Sequence, residues 1–393
     1  MTTSIDLPST TDKLIALARD TYGLDFIPLH RPVFEGNERQ YLVDCIDSNF
    51  VSSVGARVKE MEQHCATFTG SKHAIAAMNG TAALHMGLIL AGVESGDEVI
   101  SQALTFIATC NAISYCNATP VFIDVDRDTM GLSPTAVAKW LDQHTELRDG
   151  RAHNKTTGAR IAACVPMHTF GIPLRIQELV DVCKAHGIPV VEDAAESLGS
   201  YVGDQHTGTF GDIATLSFNG NKVITTGGGG MILTNDDDLA KRGHHLTTTA
   251  KVPHPYEFVH DEIGYNYRMP NLNAALGCAQ MEKLPQILAI KKDIADGYRT
   301  FCADNGLHFV DALDGTTPNY WLNAIILDSN EQRDAFLKHT NDSGVMTRPI
   351  WRLMSSLEMF KNCQNDGLEN ARWLEERVVN IPSSVPEKAF GRL

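Results

Sequence analysis

Residues 73–125, HAIAAMNGTAALHMGLILAGVESGDEVISQALTFIATCNAISYCNATPVFIDV, decide the architecture. HAIAAM, EVISQA and PVFIDV are short and almost continuously apolar, as strands buried on both faces are. Residues 81–91 and 106–116 space their apolar side chains as helices do. Strand and helix in alternation mean βαβ units, hence an α/β fold with a mostly parallel sheet sandwiched by helices.

Outward from this stretch the rhythm continues. IAACVPMH (161–168) reads as a strand, 174–186 as a helix, and PVVEDA (189–194), IATLSF (213–218) and GMILTN (230–235) as further strands. The polar segment between them, 145–159, reads as a surface loop. A long helical pattern over 271–300, the strand-like YWLNAIIL and a helix over 331–340 predict a small C-terminal α+β domain. The chain of 393 residues exceeds the roughly 250–300 at which one core stops growing. The expected division is an N-terminal extension over 1–30, a large domain over 31–270 and the small domain over 271–393. Within the extension, residues 9–12 precede the periodic LIALA as a capping box precedes a short helix.

Composition narrows the function. Net charge is −15 with no stripe of Lys and Arg, which argues against nucleic acid as a partner. Nine cysteines, an odd number without a CxxC pair, indicate neither a metal cage nor a disulfide framework. No apolar run approaches the roughly 20 residues of a membrane helix, and a cytoplasmic enzyme with no membrane partner is expected.

Chemistry concentrates at the expected strand ends. Lys222 stands in SFNGNKVITTGGGG, a polar, glycine-rich turn between two apolar strands. Asp193 closes VVEDAAES at the carboxyl edge of the sheet, where open α/β sheets bind ligands. It can cap the next helix or hold a protonated ring nitrogen, which an adjacent carboxylate favours. In MNGTAAL, Gly80 and Thr81 open a helix whose free N–H groups suit a phosphate, and Ser217 can add a hydroxyl. Phe106 and His168 follow strand ends, where each is either a core residue or a contact to a cofactor ring.

NGTAAL, TFIAT, PMHTFG, VVEDAAES, SFNGNK, ITTGGGGMILTN and GYNYRMPNLNAALG occur in the order found in the DegT/DnrJ/StrS sugar aminotransferases, and over 28–384 the chain resembles that family. The resemblance implies the type I fold of enzymes dependent on pyridoxal 5′-phosphate (PLP) and a homodimer with shared active sites. It makes Lys222 the Schiff-base lysine, Asp193 the partner of the pyridine nitrogen and Phe106 the stacking ring. Gly80, Thr81 and Ser217 become the phosphate cradle, and Glu196 lies near the ring hydroxyl. Asn266 becomes the residue that reaches the phosphate of the partner subunit. FNGNKVITTGGGG and MTRPIW look most like the legionaminic-acid and bacillosamine-type branch, which aminates a UDP-linked 4-keto-6-deoxy-N-acetylhexosamine at C4 with L-glutamate as donor.

An anionic sugar nucleotide and a dicarboxylate donor both need cations, and Arg268, Arg348 and His244 or His245 are the candidates. A PLP-dependent sugar dehydratase is the nearest rival; such relatives replace the lysine with histidine, whereas Lys222 is present. A non-catalytic PLP-binding regulator would need a DNA-reading helix, and no basic recognition helix is evident. The glycines at 227–230 precede a strand and do not link a strand to a helix, so the dinucleotide fingerprint fails.

Overall fold

The computed structural model describes residues 6–23 and 25–390. Helix α1 (Leu7–Tyr22) starts three residues earlier than the capping-box reading, with Asp6 accepting from the Ser9 N–H. Helices α2 (Glu38–Asp47) and α3 (Ala56–Thr69) follow, and the alternating region then runs β1 (His73–Ala77), α4 (Gly80–Leu90), β2 (Glu98–Gln102), α5 (Ile107–Tyr115) and β3 (Thr119–Ile123).

After α6 (Pro134–His144), the segment read as a loop is an antiparallel hairpin, β4 (Thr145–Arg148) with β5 (Arg151–Asn154). Asp149 and Gly150 both take positive φ at its tip, a conformation that Asp-Gly adopts readily in a two-residue hairpin turn. Then come β6 (Ile161–Val165), α7 (Ile176–Ala185) and β7 (Val191–Asp193). The short β8 (Tyr201–Val202) and β9 (Gln205–His206) lead to β10 (Ile213–Ser217), β11 (Gly230–Thr234) and α8 (Asp237–Thr247).

Strands β3, β2 and β6 pair in parallel, and β7, β10, β11 and β1 form a second ladder. The parallel bridges Cys164↔Val190 and Met167↔Asp193 join the two into the order β3-β2-β6-β7-β10-β11-β1. Only β11 runs against the rest, antiparallel to both β10 and β1. Every other strand therefore ends at one edge, where the turns bearing Gly80, Phe106, Asp193 and Lys222 collect.

A surface hairpin, β12 (Lys251–Val252) with β13 (Val259–His260), precedes the 35-residue helix α9 (Asn271–Asn305). The last sheet has the order β14-β16-β18-β17, from β14 (His308–Phe309), β16 (Asn323–Ile326), β17 (Arg348–Pro349) and β18 (Val378–Ile381). Strand β15 (Thr316–Thr317) pairs back on β8, and α10 (Asn330–Asp342) and α11 (Glu369–Glu375) cover the remainder. No helix among the described residues is long and apolar enough to cross a membrane.

Candidate active site

The strand ends close around a cavity of about 320 Å³, lined by Gly80, Thr81, Phe106, Asp193, Glu196, Ser217 and Lys222 together with Trp321 and Trp351. Lys222 follows β10 by five residues, its N–H bonded to the Asn219 carbonyl. Its Nζ lies 3.1 Å from Glu196 Oε1 and 3.9 Å from the centre of the Trp321 ring. Glu196 Oε2 accepts from the Phe170 N–H at 2.9 Å, so the carboxylate that holds the amine is itself held. Burial raises the pKa of Glu196, and Lys222 opposes that shift.

Asp193 is 4% exposed at the end of β7. Oδ2 accepts from Thr109 Oγ1 at 2.8 Å and Oδ1 from the Ala195 N–H at 3.2 Å, while its own N–H bonds the Pro166 carbonyl. Burial raises its pKa, with these bonds and Lys222 pulling the other way. A pyridinium nitrogen would supply the missing cation and keep the carboxylate ionised.

At the start of α4, Asn79 caps by accepting from the Ala82 N–H at 2.7 Å, and Gly80 and Thr81, whose N–H groups have no partner within the helix, line the cavity. The space before them depends on glycine. A Cβ on Gly80 would come within 2.8 Å of Ser217 Cβ, and one on Gly230 within 2.5 Å of the Asn79 carbonyl oxygen. Phe106, the N-cap of α5, is 48% exposed, its ring centre 6.2 Å from that of Trp351. The residues fit the expected cofactor: an amine, a buried carboxylate, an anion-binding helix start and an aromatic wall share one cavity.

Five expected residues lie elsewhere. His168 is fully buried and does not line the cavity; Nε2 faces Glu192 Oε2 at 3.0 Å and Nδ1 accepts from the Leu174 N–H. Arg268 is committed to Glu62 Oε1 at 2.8 Å and to the Ala76 carbonyl at 3.0 Å, tying the start of α9 to β1. Asn266 is exposed and outside this cavity, bridged through its backbone to Thr248. His245 pairs with Asp261 at 2.7 Å, and burial lowers the pKa of His244 beside Glu62 and Arg268.

Arg348 lines an adjoining cavity of about 420 Å³, which shares Asn221, Trp321 and Trp351 with the first and adds Arg333 and Arg352. Arg348 Nη1 donates to Asn341 Oδ1 and to the Thr347 carbonyl, and Asn380 brings a buried Nδ2 without a partner. Sequence reasoning missed Trp321, Trp351 and Thr109. Thr109 carried a signal, since it sits inside TFIAT one helical turn from Phe106, and Trp351 closes MTRPIW; Trp321 stood in a stretch read only as a strand.

Residues 32–387 match the DegT/DnrJ/EryC1/StrS aminotransferase family. The chain is 35% identical over 360 residues to a GDP-perosamine synthase of Vibrio cholerae, covering 91% of this chain and 94% of that protein. A GDP-perosamine synthase of Escherichia coli O157:H7 is likewise 35% identical, over 92% of this chain and 94% of its own length. Among solved structures, the aminotransferase TlmJ from Streptoalloteichus hindustanus superposes with a TM-score of 0.82 at 26% identity, covering 91% and 93% of the two chains. DesI, solved with its TDP-sugar product, gives 0.80 at 27% identity, covering 91% and 88%. The Vibrio cholerae and Escherichia coli relatives are named for GDP-perosamine, not for the expected legionaminic-acid branch. The chain thus belongs to the DegT/DnrJ/EryC1/StrS aminotransferase family and is a PLP-dependent sugar aminotransferase.

Proposed function

We propose that the chain transfers the amino group of L-glutamate to the keto carbon of a nucleoside-diphosphate-linked sugar, with Lys222 as its catalytic residue. The observation that carries this reading is the Lys222 amine held by Glu196 in the same cavity as Asp193. When bound, the cofactor supplies an aldehyde that condenses with amines and a ring that takes up the electron pair left by a departing proton.

The protein's own residues do the rest. Lys222, once its amine is free, would move a proton from the donor's α-carbon to the cofactor in the first half-reaction and from the cofactor to the sugar's keto carbon in the second, which one base on one face can do. Asp193, its carboxylate fixed by Thr109, would pair with the ring nitrogen and keep it protonated. Thr81, Ser217 and the first N–H groups of α4 would hold the phosphate, with Gly80 leaving room for it. Phe106 and Trp351 cover the site against water, and Arg348 with Arg352 suits the diphosphate.

Amination of a GDP-linked keto sugar is the first reading, supported by relatives that match over more than nine-tenths of the chain. The UDP-linked 4-keto-6-deoxy-N-acetylhexosamine, aminated at C4, is the second, carried by FNGNKVITTGGGG and MTRPIW. Incubating glutamate-treated enzyme with each keto sugar nucleotide and following recovery of the PLP absorption decides between them. Recovery with the GDP sugar alone supports the first reading, with the UDP sugar alone the second, and with neither refutes both.

The proposed assembly is a homodimer in which Asn266 reaches the phosphate of the partner subunit. Support comes from exposed apolar residues, Phe50 and Val54 after α2 and Tyr256, Phe258 and Ile263 around the β12–β13 hairpin. Mixing inactive Lys222→Ala and Asn266→Ala proteins should restore about a quarter of native activity through hybrid dimers. No recovery after subunit exchange would contradict shared sites. The division into 1–30, 31–270 and 271–393 is retained as a proposal.

A further inference from the structure

A second lysine lies buried near the site. Lys291 of α9 is 1% exposed, and among the described residues no carboxylate pairs with it. Its Nζ bonds the Ser383 carbonyl at 2.7 Å, His30 Nε2 at 3.1 Å and the Trp321 carbonyl at 3.2 Å. Burial lowers its pKa to about 7. An apolar side chain of the same length would fill the space without this desolvation cost, so packing alone does not explain a lysine here.

Two of its three acceptors lead to Lys222. The Trp321 indole donates to the Asn221 carbonyl at 2.6 Å, and its ring faces the Lys222 Nζ. His30 is half-buried; desolvation lowers its pKa, Lys291 and Lys222 add to that, and a hydrogen bond with the Asn221 backbone opposes it. Lys291 therefore fixes the backbone of a residue whose side chain grips the segment that carries the reactive amine.

We propose that Lys291 is a positioning residue for Lys222, acting through Trp321 and His30 to set where the amine sits in the cavity. The inference rests on Lys222 being the amine that bonds the cofactor, but its effect exists in the cofactor-free protein. The groups facing Lys222 are Glu196, Asp193, His30 and the Trp321 ring, and Lys291 touches the last two.

The test is trace acetylation of cofactor-free protein with acetic anhydride across pH, with Lys222 quantified by mass spectrometry against the exposed Lys292. Lys291→Met removes the anchor, and Trp321→Phe keeps a ring but loses the bond to Asn221. Both variants should acetylate Lys222 about threefold faster or more, the size of a coupling carried through packed side chains. Lys291→Met loses the desolvation cost of the amine together with its three hydrogen bonds, so the labelling rate is the readout. A lower melting temperature with native labelling in both variants would make Lys291 merely structural and overturn the proposal. If Lys291→Met does not fold, native labelling of Trp321→Phe overturns it alone. Borohydride treatment of loaded native protein shows separately whether Lys222 bonds the cofactor, so the two readings fail independently.

Discussion

The floor and the mouth of the site differ in how much of their chemistry is already satisfied. On the floor, Asp193, Glu196 and Thr109 are buried and each has fixed partners. At the mouth, Arg348 is exposed, Phe106 is half-exposed, and Asn380 has an unpartnered amide. A floor that is already paired suits chemistry that does not change from one substrate to another. A mouth with spare donors suits a sugar nucleotide that supplies the missing acceptors.

Removing the amine should break the floor most severely. Lys222→Ala should lower kcat by on the order of 10³-fold, the scale of a lost general base, in a single-turnover assay with glutamate and keto sugar. Next comes Asp193→Asn, which keeps an acceptor for Thr109 but loses the charge proposed to pair with the ring nitrogen. It should cost on the order of 10²-fold in kcat with KM for the sugar nucleotide nearly unchanged. At the mouth the pattern should reverse: Arg348→Ala should raise that KM about tenfold, the worth of one charge-assisted hydrogen bond, and leave kcat within about twofold. A kcat effect at Arg348 as large as that at Asp193 would erase the distinction between floor and mouth.

The smallest effect concerns stability. Lys291 is held at about 7, below the roughly 10.4 of an unfolded lysine. Between those values the unfolded chain binds the extra proton, so this residue makes native stability rise with pH from about 7 to about 10. Lys291→Met should lose that increment, so the native protein loses stability relative to the variant as pH drops towards 7. Melting curves of the two proteins that stay parallel across this range would show that the buried amine does not titrate there.

Much of the floor was legible because its residues sit next to strand ends, and a run of alternating strands and helices brings such ends to one edge. Gly80, Asp193, Ser217 and Lys222 are spread over 142 positions yet share one cavity for that reason. Strand direction was not legible: β11 is as apolar as its neighbours, and nothing in GMILTN marks it as antiparallel. The β4–β5 hairpin did carry a signal, Asp149-Gly150 between alternating residues, which its polarity masked.

Side-chain destinations set by distant partners were beyond local reading. Arg268 is spent on Glu62, 206 positions away, and His168 on Glu192 across adjacent strands. Trp321 reaches Asn221 from 100 positions away. The mouth is built mostly from such distant contacts, so the motifs reveal the reaction class more readily than the sugar.

The most direct measurement is borohydride reduction of the PLP-loaded protein, followed by peptide mapping. The cofactor mass should appear on the peptide containing Lys222 and on no other, and reduction of Lys222→Ala should leave the protein unlabelled. Cofactor mass on another lysine, Lys291 included, or undiminished labelling of Lys222→Ala, would contradict the account.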